Sequence, residues 1–377
     1  MPETEQARAF LWKLQARVAE ARGWAPPQQN DAFMRSIAKG VMPGATEEQL
    51  DAIIASSNQI PEHWPRRGPH EDMGGYWLIH TLADTLERHI RPPFVRPTLG
   101  TLVTGEINAV TLLVPGSDAH LVVFEDQLLN FANLFSKAVA LAMPFEGGDD
   151  GMLRFSVDMD EVHRHLRESP EALERFREVV FAYLLHGEPG SAPQYFASPQ
   201  VSGLASILRN GLELFVLGHE YGHVLDGHLA DGTASRRLLG TSGPDVAEAT
   251  WSWEKEHIAD LIGWNLSMSA MNEQRYDLAL SHAGVELFFS AYEVLNRALS
   301  LLMRGTDTVG TSTTHPPASD RRELLRINLQ QSVPEHAESA IGLANGIQEI
   351  VDTMWKSTAP LVLEMHRGGR RPDVRWL

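Results

Sequence analysis

The sequence predicts an α+β protein that is mainly α-helical, on three observations. Most of the chain repeats apolar residues at helical spacing; residues 98–125 instead alternate like strands; and an apolar stretch, Leu212 to Leu225, encloses His219-Glu220-Tyr221-Gly222-His223. At 377 residues with 43% hydrophobic content, the chain can bury a large core as one large or two moderate domains.

Taken in order, residues 5–22 place Phe10, Leu11, Leu14 and Val18 on one helix face and stop near Gly23. Pro26 to Asn30 reads as a linker. Thr46-Glu47-Glu48 starts a short helix through Ile54, and Tyr76 to His89 forms another that Arg91-Pro92-Pro93 breaks. Strands are expected at Thr101–Thr104, Val110–Val114 and Leu121–Phe124, the last two joined by a Pro115-Gly116-Ser117-Asp118 turn as a hairpin. Ser169-Pro170-Glu171 is a helix start, with Ser169 as cap, for a helix to Leu185 that ends at Gly187. His163 and His165, two residues apart, read as surface residues. Residues 188–202 read as a loop into the His219 helix. After a break at Gly240–Pro244, a helix is expected from Asp245 to about Met268, and a long amphipathic one from Arg275 to Arg304, its Phe288, Tyr292, Leu295 and Leu299 belonging to a core stripe. Gly305–Thr314 reads as a loop, Pro334–Met365 as helix, and Arg367–Arg371 as a basic tail.

His219 and His223 are four apart, so on a helix they share a face with about 5–6 Å between Cβ atoms, a spacing that suits two imidazoles on one metal ion. Glu220 is turned about 100° from His219, where it can hold a water on the metal without being a ligand. The implied chemistry is hydrolysis by a metal-activated water. A third ligand at position 229 is excluded, because Leu229 stands there; His228 lies five residues after His223 and points away from the metal face. Downstream, Glu256 and Asp260 share a helix face whose neighbours Ile258, Ala259, Leu261 and Ile262 indicate burial. Buried carboxylates need a cation or a donor, and both are satisfied if Glu256 is the third ligand and Asp260 bonds the free nitrogen of a liganding histidine. The other reading of the pair is an exposed acidic helix edge beside Glu254 and Lys255.

With these residues the chain resembles the gluzincin zinc metallopeptidases, and within them the M48 (HtpX-like) group in a soluble form. Glu256-His257-Ile258-Ala259-Asp260 is similar to that group's E-x-x-A-D, and Thr314-His315-Pro316-Pro317-Ala318-Ser319-Asp320-Arg321 to its T-H-P-P-x-x-x-R. Upstream, Ile107-Asn108-Ala109-Val110, Pro115-Gly116-Ser117 and Leu121–Phe124 are similar to the strand and hairpin that precede the metal helix. The resemblance implies a zincin-like core, one zinc ion per chain on His219, His223 and Glu256, Glu220 as general base, Asp260 orienting His219, and His315 stabilising the oxyanion. Read from the residues alone, His315 before two prolines is an extended loop residue. Helical periodicity sets apart an N-terminal region (1–95) and a C-terminal helix and tail (331–377); the resemblance makes 96–330 a metallopeptidase core, with an insertion around 140–202 that includes the acidic Glu146–Asp150 turn. If the hairpin is the family's edge sheet, it can hold an extended peptide by strand addition.

Composition narrows the partners. Lys and Arg number 32 against 49 Asp and Glu, a net charge of −17 without a long basic block, which disfavours nucleic acid and an acidic membrane surface. No stretch is read as reaching the ~18 apolar residues that span a bilayer. Cysteine is absent, so any metal is held by His and carboxylate. Met1–Glu5 is acidic and unlike a secretory signal, so a cytoplasmic location is expected, with a peptide or protein as substrate. Two rival functions share the ligand set: an Fe(II)-dependent peptide-modifying oxygenase, and a non-catalytic metal-binding module closed by a fourth ligand such as His257.

Overall fold

A computed structural model of the chain describes residues 3–24, 35, 38, 39, 42, 44–57, 59–146, 154–227, 233–238, 245–308 and 315–373. It is a mainly helical α+β structure. The helices are α1 (Glu3–Arg22), α2 (Glu47–Ser57), α3 (Met73–Glu87), α4 (Asp126–Leu141), α5 (Met159–Glu168), α6 (Glu171–His186), α7 (Pro199–Leu225), α8 (Trp253–Glu273), α9 (Leu278–Arg304), α10 (Ala318–Ser332) and α11 (Pro334–Arg367). The strands are β1 (Thr98–Leu102), β2 (Ala109–Leu113), β3 (His120–Glu125), β4 (Thr233–Leu238) and β5 (Asp245–Thr250).

Local chemistry accounts for several boundaries. Thr46 and Gln49 form a reciprocal capping box ahead of α2: the Thr46 hydroxyl accepts the Gln49 N–H at 3.2 Å, and the Gln49 side chain accepts the Thr46 N–H at 2.8 Å. Helix α6 ends at Gly187 in the left-handed conformation, φ 59°. The expected Ser169 cap is absent: Ser169 closes α5, and α6 begins behind Pro170 without a side-chain cap. Helix α7 starts earlier than the sequence suggests, because Ser198 caps it and Pro199 occupies the first turn, so the stretch read as a loop to residue 202 is partly helical. Helix α9 starts later, at Leu278 rather than Arg275. Arg275 adopts φ 61°, and the Asp277 carboxylate caps the N–H groups of Ala279 and Leu280.

The five strands form one sheet in the order β1-β3-β2-β5-β4, with β1 and β3 parallel and the other pairs antiparallel. Residues 245–250 are therefore strand, not the start of a helix. Ladder pairing of β5 to β4 from Thr250 back to Asp245 satisfies their backbone groups and overrides the helix preference of Ala and Glu. The expected hairpin is β2–β3, but β2 lies inside the sheet; its pairing to β5 is confined to Leu112↔Glu248. Residue alternation sorts the two faces of the sheet. Leu121 and Val123 pack with Leu11, Leu14 and Val18 of α1, whereas Val122 and Phe124 join the main core. That core runs from Ile79 in α3 through α4, α6, α7 and α9 to Val362 in α11.

Contrary to the expectation that no stretch is long and apolar enough, Pro199–Leu225 could cross a membrane by length and composition; 67% of its most apolar window is buried inside the protein. Of the two histidines read as surface residues, His163 is exposed, but the His165 ring meets the Leu141 carbonyl at 3.1 Å. The Pro26–Asn30 linker, His228, the Gly240–Pro244 break, Thr314, residues 309–313 of the Gly305–Thr314 loop and residues 147–150 of the acidic turn lie outside the described residues.

Glu71 ties the segment ahead of α3 to the edge strand β1. Its carboxylate accepts the N–H of Thr101 at 2.8 Å and of Gly68 at 3.3 Å, and burial pushes its carboxyl up to about 7 from an ordinary 4.5. A folded-state value above the unfolded one means that this contribution to stability is complete below about pH 4.5 and is lost as pH rises through about 7. Urea unfolding of Glu71→Gln should therefore show a shallower loss of stability between pH 5 and pH 8 than wild type. Parallel curves would exclude Glu71 as the titrating group.

Candidate metal centre

The centre is built where α7 and α8 cross in antiparallel fashion with glycine on both sides. A Cβ on Gly222 would lie 2.7 Å from the Cα of Ala259, and one on Gly263 only 2.6 Å from the backbone nitrogen of His219. No side chain separates the two backbones at this crossing, so groups on either helix reach the same point. His219 and His223 leave α7 on one face, and Glu256, one turn before Asp260 on α8, faces them.

The three donors converge. His219 Nε2 lies 3.3 Å from His223 Nε2 and 3.6 Å from Glu256 Oε2, and His223 Nε2 lies 3.5 Å from Glu256 Oε1. Ligands at 2.0–2.2 Å from a tetrahedral ion are separated by about 3.3–3.6 Å, so the spacing is that of a coordination shell. All three residues are buried, and Glu256 Oε2 accepts no hydrogen bond although it is shielded from water. Such an orphan carboxylate oxygen beside two imidazole nitrogens is unfavourable without a cation. The donor set thus fits a metal ion, and this is the group of described residues with metal-ligand geometry. The exposed-edge reading of Glu256 and Asp260 does not hold: they are 2% and 0% exposed.

Asp260 occupies the place expected of it. Its Oδ1 lies 2.9 Å from His219 Nδ1, which leaves Nε2 directed at the other donors. Arg321 of α10 grips the same carboxylate, Nε to Oδ2 at 2.7 Å and Nη2 to Oδ1 at 2.5 Å. Burial alone would raise the Asp260 carboxyl, but Arg321 outweighs it and holds the group well below the usual carboxylate range. For His219, burial opposes the charged ring, yet Asp260 and then Glu256 draw its pKa upward; burial pushes the Glu256 carboxyl up as well. In the sequence Arg321 stands out only as the last residue of the T-H-P-P-x-x-x-R-like stretch. Its role was missed because a surface-type residue at the start of a helix gives no sign of burial.

Glu220 is 6% exposed, and its Oε2 accepts a 2.6 Å hydrogen bond from the Thr111 hydroxyl of β2. Trp251, immediately after β5, lies flat on the His223 ring, centroids 3.6 Å apart at 11°. His315 sits at the mouth with a side chain 41% exposed, its Nε2 3.5 Å from Glu256 Oε2. His257 is not among the converging donors.

A cavity of about 380 Å³ opens onto these groups. One wall is the stretch 106–111 leading into and along β2. Apolar lining comes from Phe131 of α4, Tyr183 of α6, Leu212 and Val216 of α7, and Leu295 and Leu299 of α9. Part of the α9 stripe expected to be plain core, including Phe288 and the 39% exposed Tyr292, therefore walls the cleft. Periodicity identifies a buried face but does not say whether protein or a cavity covers it.

No protein-family model, curated protein or solved structure matches the chain.

The glycine crossing gives a direct expectation. Gly222→Ala should destabilise the protein by about 1–3 kcal/mol through overpacking and weaken metal binding in parallel. Gly203→Ala on the same helix, with nothing within 4 Å of the new Cβ, should instead stabilise by about 0.4–1 kcal/mol. Urea unfolding of both variants checks the pair; equal effects would deny the crossing its role.

Proposed function

We propose that the chain is a zinc-dependent peptidase with a zincin-like core, akin to the M48 group of gluzincins. The observation that carries this reading is the shell of His219, His223 and Glu256, with a fixed carboxylate, Glu220, beside it at the head of an apolar cleft. A zinc ion on those ligands would supply Lewis acidity and a water acidified towards neutrality. The residues of the chain do the rest. Glu220, held by Thr111, takes a proton from the attacking water and returns it to the leaving amine. Asp260 and Arg321 fix the tautomer and plane of His219. His315, at the mouth, is placed to donate to the developing oxyanion.

The cleft supports a peptide as substrate. The wall at 106–111 offers strand backbone to an extended peptide, since among the described residues β2 is bridged to β5 at Leu112↔Glu248, beyond that wall. The apolar lining suits one bulky aliphatic or aromatic side chain next to the scissile bond. Three donors without His257 favour an open catalytic site over a closed structural one. A pinned Glu220 has a use in hydrolysis that an oxygenase would not require.

Metal analysis with peptide turnover tests the reading. Wild type should carry about one zinc per chain and cleave peptides next to large apolar residues. Glu256→Ala should lose the ion, and Glu220→Gln should keep it while turnover falls by about 10²–10⁴-fold. Full activity of Glu220→Gln, or iron in place of zinc, would overturn the proposal.

A further inference from the structure

We infer that Trp251 is a positioning residue for His223, and that its indole face strengthens metal binding; this rests on the metal-centre reading above. The two histidines are held by different devices. His219 is fixed through its Nδ1 by Asp260. His223 is covered face to face by Trp251, with the planes 11° apart and centroids at 3.6 Å, in a site where His223 is 1% exposed.

An imidazole rotates about a broad, roughly two-fold torsion. A flat ring pressed on its face restricts that rotation without engaging either nitrogen, and so keeps Nε2 aimed at His219 Nε2 and Glu256 Oε1. The contact also has an electronic sense. An imidazole that shares its lone pair with a dication becomes electron-poor, and the face of an indole is electron-rich, more so than that of a phenyl ring. The stack is therefore stronger when metal is bound, and any group that favours the bound state raises affinity by the same free energy. The fold delivers both contacts from neighbouring strands: β2 brings Thr111 to Glu220, and β5, bridged to it at Leu112↔Glu248, ends beside Trp251. Trp251 also lines the cleft, so the same residue forms a wall beside the reacting groups.

The test is a series at one position in the full-length chain: wild type, Trp251→Phe and Trp251→Leu. Zinc dissociation constants are measured by competition with a chromogenic chelator, and melting temperatures on the metal-free proteins. The expected order of affinity is Trp, then Phe, then Leu, with Leu weaker than wild type by about 3- to 30-fold, while the two metal-free variants melt alike. A purely structural role would lower the metal-free melting temperature and leave no aromatic order in zinc affinity. Zinc binding unchanged in Trp251→Leu, or a loss that only tracks the melting temperature, overturns this assignment and leaves the metal centre standing. Failure of wild type to bind zinc overturns both.

Discussion

The distance between two backbones governs the site. Helices α7 and α8 approach so closely at Gly218, Gly222, Ala259 and Gly263 that even a methyl group added at Gly222 or Gly263 would collide with main chain. A wider crossing would carry Glu256 away from the histidines, and no rotamer change of a short carboxylate side chain could restore 3.3–3.6 Å contacts on both. Helix α9 meets α7 on similar terms, where a Cβ on Gly284 would lie 2.8 Å from the Leu208 carbonyl. The metal helix is thus seated by two neighbours through glycine contacts, and its ligands inherit that rigidity.

Charge is organised around the same helices. Two consecutive arginines of α10 diverge: Arg321 runs to Asp260 on α8, and Arg322 to Glu293 on α9, 3.0 Å away. Arg326, one turn on, makes two hydrogen bonds to Glu286, which also contacts His282 at 3.0 Å. A buried pair such as Arg321–Asp260 contributes little net stability over apolar packing, but removing one partner costs about 3–5 kcal/mol because the other is stranded; the part-exposed pairs of Arg322 and Arg326 are worth less. They act as locks that hold α8, α9 and α10 in one arrangement. On the opposite side Tyr221, between the two histidines in sequence, donates to Glu87 of α3 at 2.7 Å, so the N-terminal helices also brace α7.

Much of this could be read from sequence where spacing carries the meaning. The i,i+4 pairs His219/His223 and Glu256/Asp260 fix a common face whatever surrounds them, and Thr46, Pro115–Asp118 and Gly187 mark ends through local backbone chemistry. What escaped the sequence is tertiary in origin. Strand β5 has a helix-prone composition and is made a strand by its partners; α4 and α10 are helices whose identity depends on what they cover. Arg321, Thr111 and Trp251 come from three different elements, 210 residues apart at the extremes, and no local pattern points from any of them to His219. The cavity is invisible for the same reason, since an apolar face reads alike whether it meets another side chain or empty space.

The long reach of Arg321 has a consequence for biosynthesis. Asp260 is wholly buried, and its guanidinium partner arrives 61 residues later, on α10. A nascent chain that has emerged only as far as α8 already holds His219, His223 and Glu256, but to bury Asp260 it must strand a carboxylate without its cation. Closure of α7 on α8 is therefore penalised until α10 docks. Order of synthesis and electrostatics together delay completion of the centre until α10 is present, so fragments cut short before α10 lack the lock that holds its donors in place.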